Sequence, residues 1–494
     1  MSATALDLWG VTISKETADQ IIEKAKQWAL LHGVQMKPQH DHHSTCHCEY
    51  APITLFPSPL PVPVLQEAKS LQKHYNLLMH RVANDPEFLC QCLKNVIKVD
   101  EFTKMLYDIY KETGGEKSTQ KVSLGLFRND YMMDVKDSCC TIKILPASLN
   151  LKQIEFNTIA SSFAGLSSAM WNVHRYTMKQ AGIKCSCDQL PENKPAHGLA
   201  VGFVKAWECY GNPDAVILFI VQSVERNSVD QRWLERFVHE INHNIHVVYS
   251  TLLNASEHCK LTKWNTLMLD GKEVAVIYYR DGYMPNHYPT NKEKDVRLLM
   301  EKSCAIKCPN VGLQLAGCKK VQQELAVPGV LEKFIKDIDV CDCIRKTFAG
   351  QYSLDRNEEG DRNVEMALAQ PKKFVLKPQR EGGGNNVYGE DIREFLSGIR
   401  DSEERNAYIL MERIFPWPQK NYLLKEGKEP ILRDVISELG IYGVYLGTAE
   451  EEFYNAEAGH VLRTKSTEDD EGGIVAGFAT MDSPLLVYPP KLSS

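Results

Sequence analysis

The sequence predicts an α/β fold, and three observations predict it. From residue 212 onward, apolar runs of strand length alternate with amphipathic stretches of helix length, the pattern of a mostly parallel sheet. Residues 215–221 (AVILFIV) are continuously apolar, which suits a strand buried on both faces; the run is far too short to cross a membrane. Residues 267–274 (LMLDGKEV) set an Asp-Gly pair between two apolar runs, a hairpin signal. The chain has 494 residues, 43% hydrophobic and 24% charged. That composition is ordinary for a soluble globular protein, and the length suggests roughly two to four domains.

The elements follow in order. Residues 14–33 have helical periodicity and stop at Gly33. Pro57, Pro59 and Pro61 exclude a helix or a central strand from their segment. Helices are expected over 64–82 and 85–113, then a strand over 122–127 that ends at Arg128. Residues 154–158 read as a strand in which Gln153, Glu155 and Asn157 alternate with Ile154 and Phe156; period two places the three polar residues on one face. After the strand at 215–222 come a helix over 229–241, strands over 245–249 and 274–279, and a helix over 291–303. A helix over 315–325 and strands over 408–414, 435–445 and 461–465 complete the pattern, followed by an acidic loop at 468–473.

Charge and cysteine content narrow the function classes. A net charge of -7 argues against a nucleic acid or an anionic membrane as the partner. The N-terminal residues show neither a basic region nor an apolar core, so no signal peptide is expected. The 15 cysteines are odd in number and scattered, and read as reduced cytosolic thiols. Residues 239–243 (HEINH) imitate a zinc-protease signature, but the helix is expected to end near Ile241, which takes His243 off the helical face. His40, His42, His43, Cys46, His47 and Cys48 have zinc-ligand chemistry without the spacing of a closed site, and read as a surface insert. Cys139-Cys140 and Cys185-Ser186-Cys187 read as reduced thiols in loops.

The richest chemistry lies in residues 374–388, FVLKPQREGGGNNVY. A short apolar strand delivers Lys377. Glu381 follows, then Gly382, Gly383 and Gly384, then the amides of Asn385 and Asn386. A lysine neutralises phosphate oxygens, a carboxylate holds a hard cation, and glycines let backbone N–H groups close over a polyphosphate. The Gly-x-x-x-x-Gly-Lys-Ser/Thr loop is absent from the sequence, so another scaffold is required. Glu155, Asn157 and Glu381 are oxygen donors of the kind Mg²⁺ takes. Lys319, Lys377 and Lys465 are candidate phosphate cations, and Arg128 and Arg463 have the forked geometry for a carboxylate or a developing oxyanion. Glu438 is a candidate acceptor for ribose hydroxyls or an adenine amine. Two polar clusters, Glu225-Arg226-Asn227 with Gln231 and Arg280-Asp281-Gly282-Tyr283, follow strands of the α/β region, where ligands of parallel sheets sit. Together these residues point to phosphoryl transfer by positioning and charge stabilisation in an enzyme using ATP and Mg²⁺.

The blocks LGLFRNDYM, QIEFNTIASSF, ERNSVDQR, YYRDGYMP, QLAGCKKVQQEL, FVLKPQREGGGNN, YILMERI, ISELGIYGVY and LRTK, in this order, resemble eukaryotic glutathione synthetases, which are ATP-grasp ligases. The resemblance implies an ATP-grasp fold with an inserted parallel-sheet substrate domain, divided as 1–211, 212–316 and 317–494. It implies ligation of γ-glutamylcysteine to glycine through an acyl phosphate, in a cytoplasmic homodimer with lid loops. On that pattern Glu155, Asn157 and Glu381 hold Mg²⁺. Lys319, Lys377, Pro378, Gln379, Arg380, Glu381, Gly382, Gly383, Gly384, Asn385, Asn386, Tyr388, Met411, Glu412, Arg413, Ile414, Glu438, Lys465 and Glu471, with Glu155, face the nucleotide. Arg128, Ile159, Ala160, Ser161, Ser162, Glu225, Arg226, Asn227, Gln231, Arg280, Asp281, Gly282, Tyr283, Arg463, Ile474 and Val475 face the peptide and glycine, with Arg128 and Arg463 stabilising charge during acyl transfer. The sequence departs from the family at the 466–476 lid, which is more acidic, has Glu471 for the usual aspartate and has Ile474-Val475 for a Val-Ala pair. It departs also at Ala160, where a serine is usual, and at Arg413, where a lysine is. These departures keep open a ligase adding another amino acid; a nucleotide-binding regulator without catalysis is the remaining alternative.

Overall fold

The longest strands among the described residues, Leu432–Gly447 and Glu452–Ser466, pair antiparallel and form the spine of the molecule. The structure is a computed structural model and describes residues 5–8, 11–38, 47–135 and 149–488. Among these, a seven-stranded sheet runs in the order Gln419–Leu424, Ile53–Thr54, Ala479–Asp482, Glu452–Ser466, Leu432–Gly447, Ser123–Asp134, Asn150–Asn157. Early and late segments of the chain thus share one sheet. Both faces of Leu432–Gly447 are covered: Tyr442, Val444 and Leu446 enter one core with helices Ala164–Gln180 and Pro195–Tyr210, and Leu439, Ile441 and Tyr445 enter another with helix Val62–Ala83. Strand alternation makes this division, because successive side chains point to opposite faces.

The predicted parallel sheet is present. Val216–Ile220 pairs parallel with Val247–Ser250 and Lys272–Tyr279, and the latter pairs parallel with Ile306–Cys308. Leu267–Leu269 and Cys259–Leu261 extend one edge antiparallel. Asp270 (φ 49°) and Gly271 (φ 78°) both lie in the left-handed region, as a tight two-residue hairpin turn requires. A third sheet, Gln351–Ser353, Tyr408–Glu412, Phe374–Pro378, Val387–Tyr388, carries the glycine-rich segment and packs on helices Glu358–Ala369 and Glu390–Ile399.

Several boundaries differ from the sequence expectation for local physical reasons. The expected helix over 85–113 is two, Pro86–Leu93 and Glu101–Thr113, because Asp85 and Asp100 each act as an N-cap, accepting from Phe88 N (2.9 Å) and Thr103 N (2.7 Å). The expected helix over 315–325 breaks at Gly317-Cys318 into Val311–Ala316 and Lys319–Leu325; Asn310 caps the first. The strand expected to end at residue 127 continues to Asp134, through Arg128 and Asp130. Among the described residues no helix is long and apolar enough to cross a membrane.

The close approach of helix Val62–Ala83 to the sheet depends on Gly443. Asn76 reaches across the strands, donating to Ala456 O (3.1 Å) and Asn455 Oδ1 (3.0 Å), and accepts from Gln72 Nε2 (2.9 Å). A Cβ at residue 443 would overlap Asn76 and fall 2.6 Å from Gln72 Nε2. Gly443→Ala is therefore expected to destabilise the fold by about 1–3 kcal/mol, seen as a lower urea midpoint at unchanged slope.

Candidate active site

The catalytic candidates assemble because five strands present one face to a common cavity of about 930 Å³. On Ser123–Asp134, Arg128 and Asp130 point to the cavity side and Asn129 and Tyr131 to the core. Opposite them, Asn157 pairs with Arg128 and Glu155 with Asp130, but Tyr131 then pairs with Gln153. Ile154 is thus an extra residue, a β-bulge. The bulge corrects the sequence reading of this strand: Glu155 and Asn157 share the cavity face, whereas Gln153 turns to the other and donates to Asn129 Oδ1 (2.7 Å). The carbonyl freed at Ile154 accepts from Lys377 Nζ (2.8 Å).

Lys377 stands on Phe374–Pro378, buried. Lys319, the first residue of its helix, is buried behind the cavity wall and lies between two carboxylates, 3.2 Å from Glu155 Oε2 and 2.8 Å from Glu381 Oε1. Gly382, Gly383 and Gly384 take φ of 94°, 69° and 76°, values that a side chain would strain, and Gly384 N donates to Glu471 Oε2 (2.8 Å) in the acidic loop. Asn385 donates to the carbonyls of Glu381 and Gly383, Asn386 to Tyr388 Oη (3.1 Å). Glu438 and Arg463 are cross-strand neighbours and form an ion pair; Arg463 also donates to Asp130 Oδ2 (2.9 Å). Lys465, two residues on, donates to Asp470 O.

Most sequence-predicted residues meet in this cavity. Glu155, Lys377, Glu381, Gly382, Gly383, Asn386, Tyr388, Met411, Glu412, Arg413, Ile414, Glu438, Lys465 and Glu471 line one part; Arg128, Asn157, Ile159, Ala160, Ser162, Glu225, Arg226, Asn227, Arg280, Tyr283, Arg463, Ile474 and Val475 line the rest. Others stand behind the wall or away from it. Gln231 holds Glu225 (2.8 Å), Ser161 donates to Leu126 O, and Asp281 pairs with His287 (2.6 Å). The Gly282 carbonyl accepts from Gln314 (2.9 Å) and Tyr288, so this residue supports Tyr283 rather than facing the cavity. Pro378 is not in the lining, Gln379 accepts from Lys320 N (3.0 Å), and Arg380 turns to Asp100 (2.6 Å). Sequence reasoning missed Asp130, Gln222 and Ile436. Gln222 closes a parallel strand at its carboxyl end, the position where ligands gather, and donates to Tyr283 Oη (2.9 Å).

Helix Ser228–Ile241 ends before His243, as the sequence reading expects. The twelve described cysteines are all unpaired. His40, His42, His43, Cys46, Cys139 and Cys140 lie outside the described residues.

Electrostatics favour a polyanion. Burial opposes the charge of Glu155, but Lys319, Lys377, Arg128 and Arg463 overcome it and bring the carboxyl down to about 2. Glu381 moves the other way: burial raises it, and Glu155 adds to that against the pull of Lys319. Burial also lowers Lys377 and Lys465 to about 8, against the opposing pull of Glu155 and of Glu471 respectively.

Comparison with known proteins agrees with this geometry. A family model described as "Eukaryotic glutathione synthase, ATP binding domain" matches residues 15–486. The chain belongs to this family. Glutathione synthetases of Bos taurus and Homo sapiens are each 44% identical to it over 483 residues, covering 97% of this chain and 99% of theirs. The chloroplastic glutathione synthetase of Solanum lycopersicum is 40% identical over 486 residues, covering 96% of this chain and 85% of its own. Among solved structures, the apo form of a glutathione synthetase-like effector from Globodera pallida aligns at TM-score 0.77 and 26% identity, covering 98% of this chain and all of that one. The function of the family, ATP-dependent glutathione synthesis with Mg²⁺, is the function of this chain.

The donor set fits the cation. Glu155 and Glu381 converge on one point, now held by Lys319, and both Asn157 amide hydrogens are committed, to Arg128 O (3.2 Å) and Asp130 Oδ2 (2.9 Å), so that its carbonyl oxygen is the atom left for a ligand.

A bound polyphosphate raises the affinity of Lys377 and Lys465 for their protons. The complex then holds more protons than the free protein above about pH 8, so ATP affinity is expected to fall as pH rises from about 7.5 to 9. Calorimetry in buffers of different ionisation enthalpy should show proton uptake on binding, reduced in Lys465→Arg.

Proposed function

We propose that the cavity joins γ-glutamylcysteine to glycine with the following division of labour. The single observation that carries it is the convergence on one cavity of buried phosphate-type cations, an oxygen-donor set and two arginines shared by one carboxylate. Lys377 and Lys465 face polyphosphate oxygens, with Lys319 behind them between Glu155 and Glu381 and the left-handed Gly382–Gly384 backbone beside the cavity. Glu155, Asn157 and Glu381 hold Mg²⁺, which supplies charge neutralisation to the phosphates when bound. Met411 to Ile414 and Glu438 receive the adenosine part.

The dipeptide lies toward Arg280, Glu225 and Asn227. Its terminal carboxylate takes the γ-phosphoryl group, which releases ADP. The glycine amine attacks the resulting acyl phosphate, phosphate leaves, and the amide forms. Arg128 and Arg463 stabilise negative charge on the carbonyl oxygen during that attack. Ile474 and Val475 come from the lid, and their bulk beside Arg226, which donates to Val475 O (3.0 Å), favours a small acceptor such as glycine. The lid excludes water, which would otherwise hydrolyse the acyl phosphate.

We also infer the division 1–211, 212–316 and 317–494, supported by the confinement of the parallel sheet to strands between Val216 and Cys308. A homodimer in the cytoplasm, as the resemblance implies, completes the reading; the unpaired state of the described cysteines supports a reducing compartment.

ADP release is expected only when γ-glutamylcysteine and glycine are both present, with glutathione identified by mass spectrometry from a mixture of amino acids; a different tripeptide would sink the glycine assignment. Glu381→Gln should lower turnover by about a hundredfold with little change in melting temperature. Survival within a few-fold at low Mg²⁺ would show that Glu381 holds no metal.

A further inference from the structure

We propose that Asp130, which does not line the cavity, is the positioning residue for acyl transfer: one buried carboxylate that aims Arg128, Arg463 and Asn157 together. The inference rests on the reading of the two arginines given above. Asp130 is 0% exposed. Its Oδ1 accepts from Arg128 Nε (2.7 Å), and its Oδ2 accepts from Arg128 Nη2 (2.8 Å), Arg463 Nη2 (2.9 Å) and Asn157 Nδ2 (2.9 Å).

The geometry fixes which edges of the arginines remain for the reaction. Arg128 spends Nε and Nη2 in a bidentate fork, which locks the guanidinium plane and leaves Nη1, whose one contact is a long 3.4 Å approach to Ser162 O. Arg463 spends Nη2 on Asp130 and Glu438, while its buried Nε has no partner. Two guanidiniums this close repel unless an anion lies between them. Asp130 supplies that anion without entering the cavity, and so without competing for the developing oxyanion. Through Asn157 it also fixes which amide atom faces the cation.

The neighbouring strand makes room for this arrangement. Gly440 lies directly across from Asp130, and a Cβ there would fall 2.7 Å from Asp130 Oδ1 and 2.9 Å from Arg128 Cδ. None of the phosphate-facing lysines touches Asp130; its links to the nucleotide side run through Asn157, on the cation, and through Arg463 to Glu438.

The test uses the full chain, with Asp130→Asn keeping the shape and removing the charge. Turnover is expected to fall by about a hundredfold or more, while the Kd for ATP measured without Mg²⁺ stays within about threefold and the loss appears in kcat more than in KM for either acceptor. Gly440→Ala displaces the same carboxylate from another strand and should give the same signature in weaker form. Turnover of Asp130→Asn within fivefold of the parent overturns the proposal, as does loss of nucleotide binding in step with turnover in both variants, which would mark Asp130 as scaffold. An inactive parent chain would instead overturn the function reading itself.

Discussion

Strand register is the constraint on which the site depends. Leu432–Gly447 is buried on both faces, so its register against Ser123–Asp134 and Glu452–Ser466 is fixed by two cores at once. A slip of this strand by one residue would turn Glu438 out of the cavity and break its cross-strand pairing with Arg463. The packing of helices Val62–Ala83 and Pro195–Tyr210 on this strand therefore sets the active-site geometry, although neither helix lines the cavity. The bulge at Ile154 is placed where its carbonyl meets Lys377 and where Glu155 faces its cations.

Within that frame the electrostatics are arranged to be incomplete. Lys319 is paired with two carboxylates, but Lys377 and Lys465 are buried with mainly carbonyl oxygens for partners, and burial pulls both toward neutrality. Such cations are costly in an empty site and stabilised by an anion of matching charge. Glu155 stays ionised because four cations overcome its burial, and Glu381 rises because burial disfavours its charge and the ionised Glu155 adds to that. A dication between the two carboxylates relieves that repulsion, since both can then be charged.

Much of this was legible in the sequence, and the part that was not has identifiable causes. The Asp-Gly hairpin, the parallel strands and the glycine-rich loop announce themselves through local patterns at the residues that form them. The cavity face of residues 153–157 did not, because a bulge breaks period two and leaves no compositional mark. Helix breaks at Asp100 and Gly317 were hidden inside apolar periodicity that continues across them. Asp130 was visible only as a neighbour of Arg128; its function comes from Arg463, hundreds of residues later, which no local pattern connects to it. Arg380 and Gln379, which the family pattern turns to the nucleotide, instead direct their side chains to Asp100 and Lys320.

The lid shows how weak contacts suit a loop that must open each cycle. Its tethers include Asp470 to Arg413 (2.6 Å), Glu471 to Gly384 N (2.8 Å), and the Val475 carbonyl to Arg226 (3.0 Å). They reach the end of strand Tyr408–Glu412, the glycine-rich segment and the loop after Val216–Ile220, three separate parts of the cavity wall. The Arg413–Asp470 pair is partly exposed, at 31% and 46%, and such pairs are worth about 0–1 kcal/mol. A stronger latch would slow product release without improving the exclusion of water. Asp470 and Glu471 also lie near Lys465, whose ammonium donates to the Asp470 carbonyl, so a polyphosphate bound as proposed would supply the negative charge that burial leaves this cation short of.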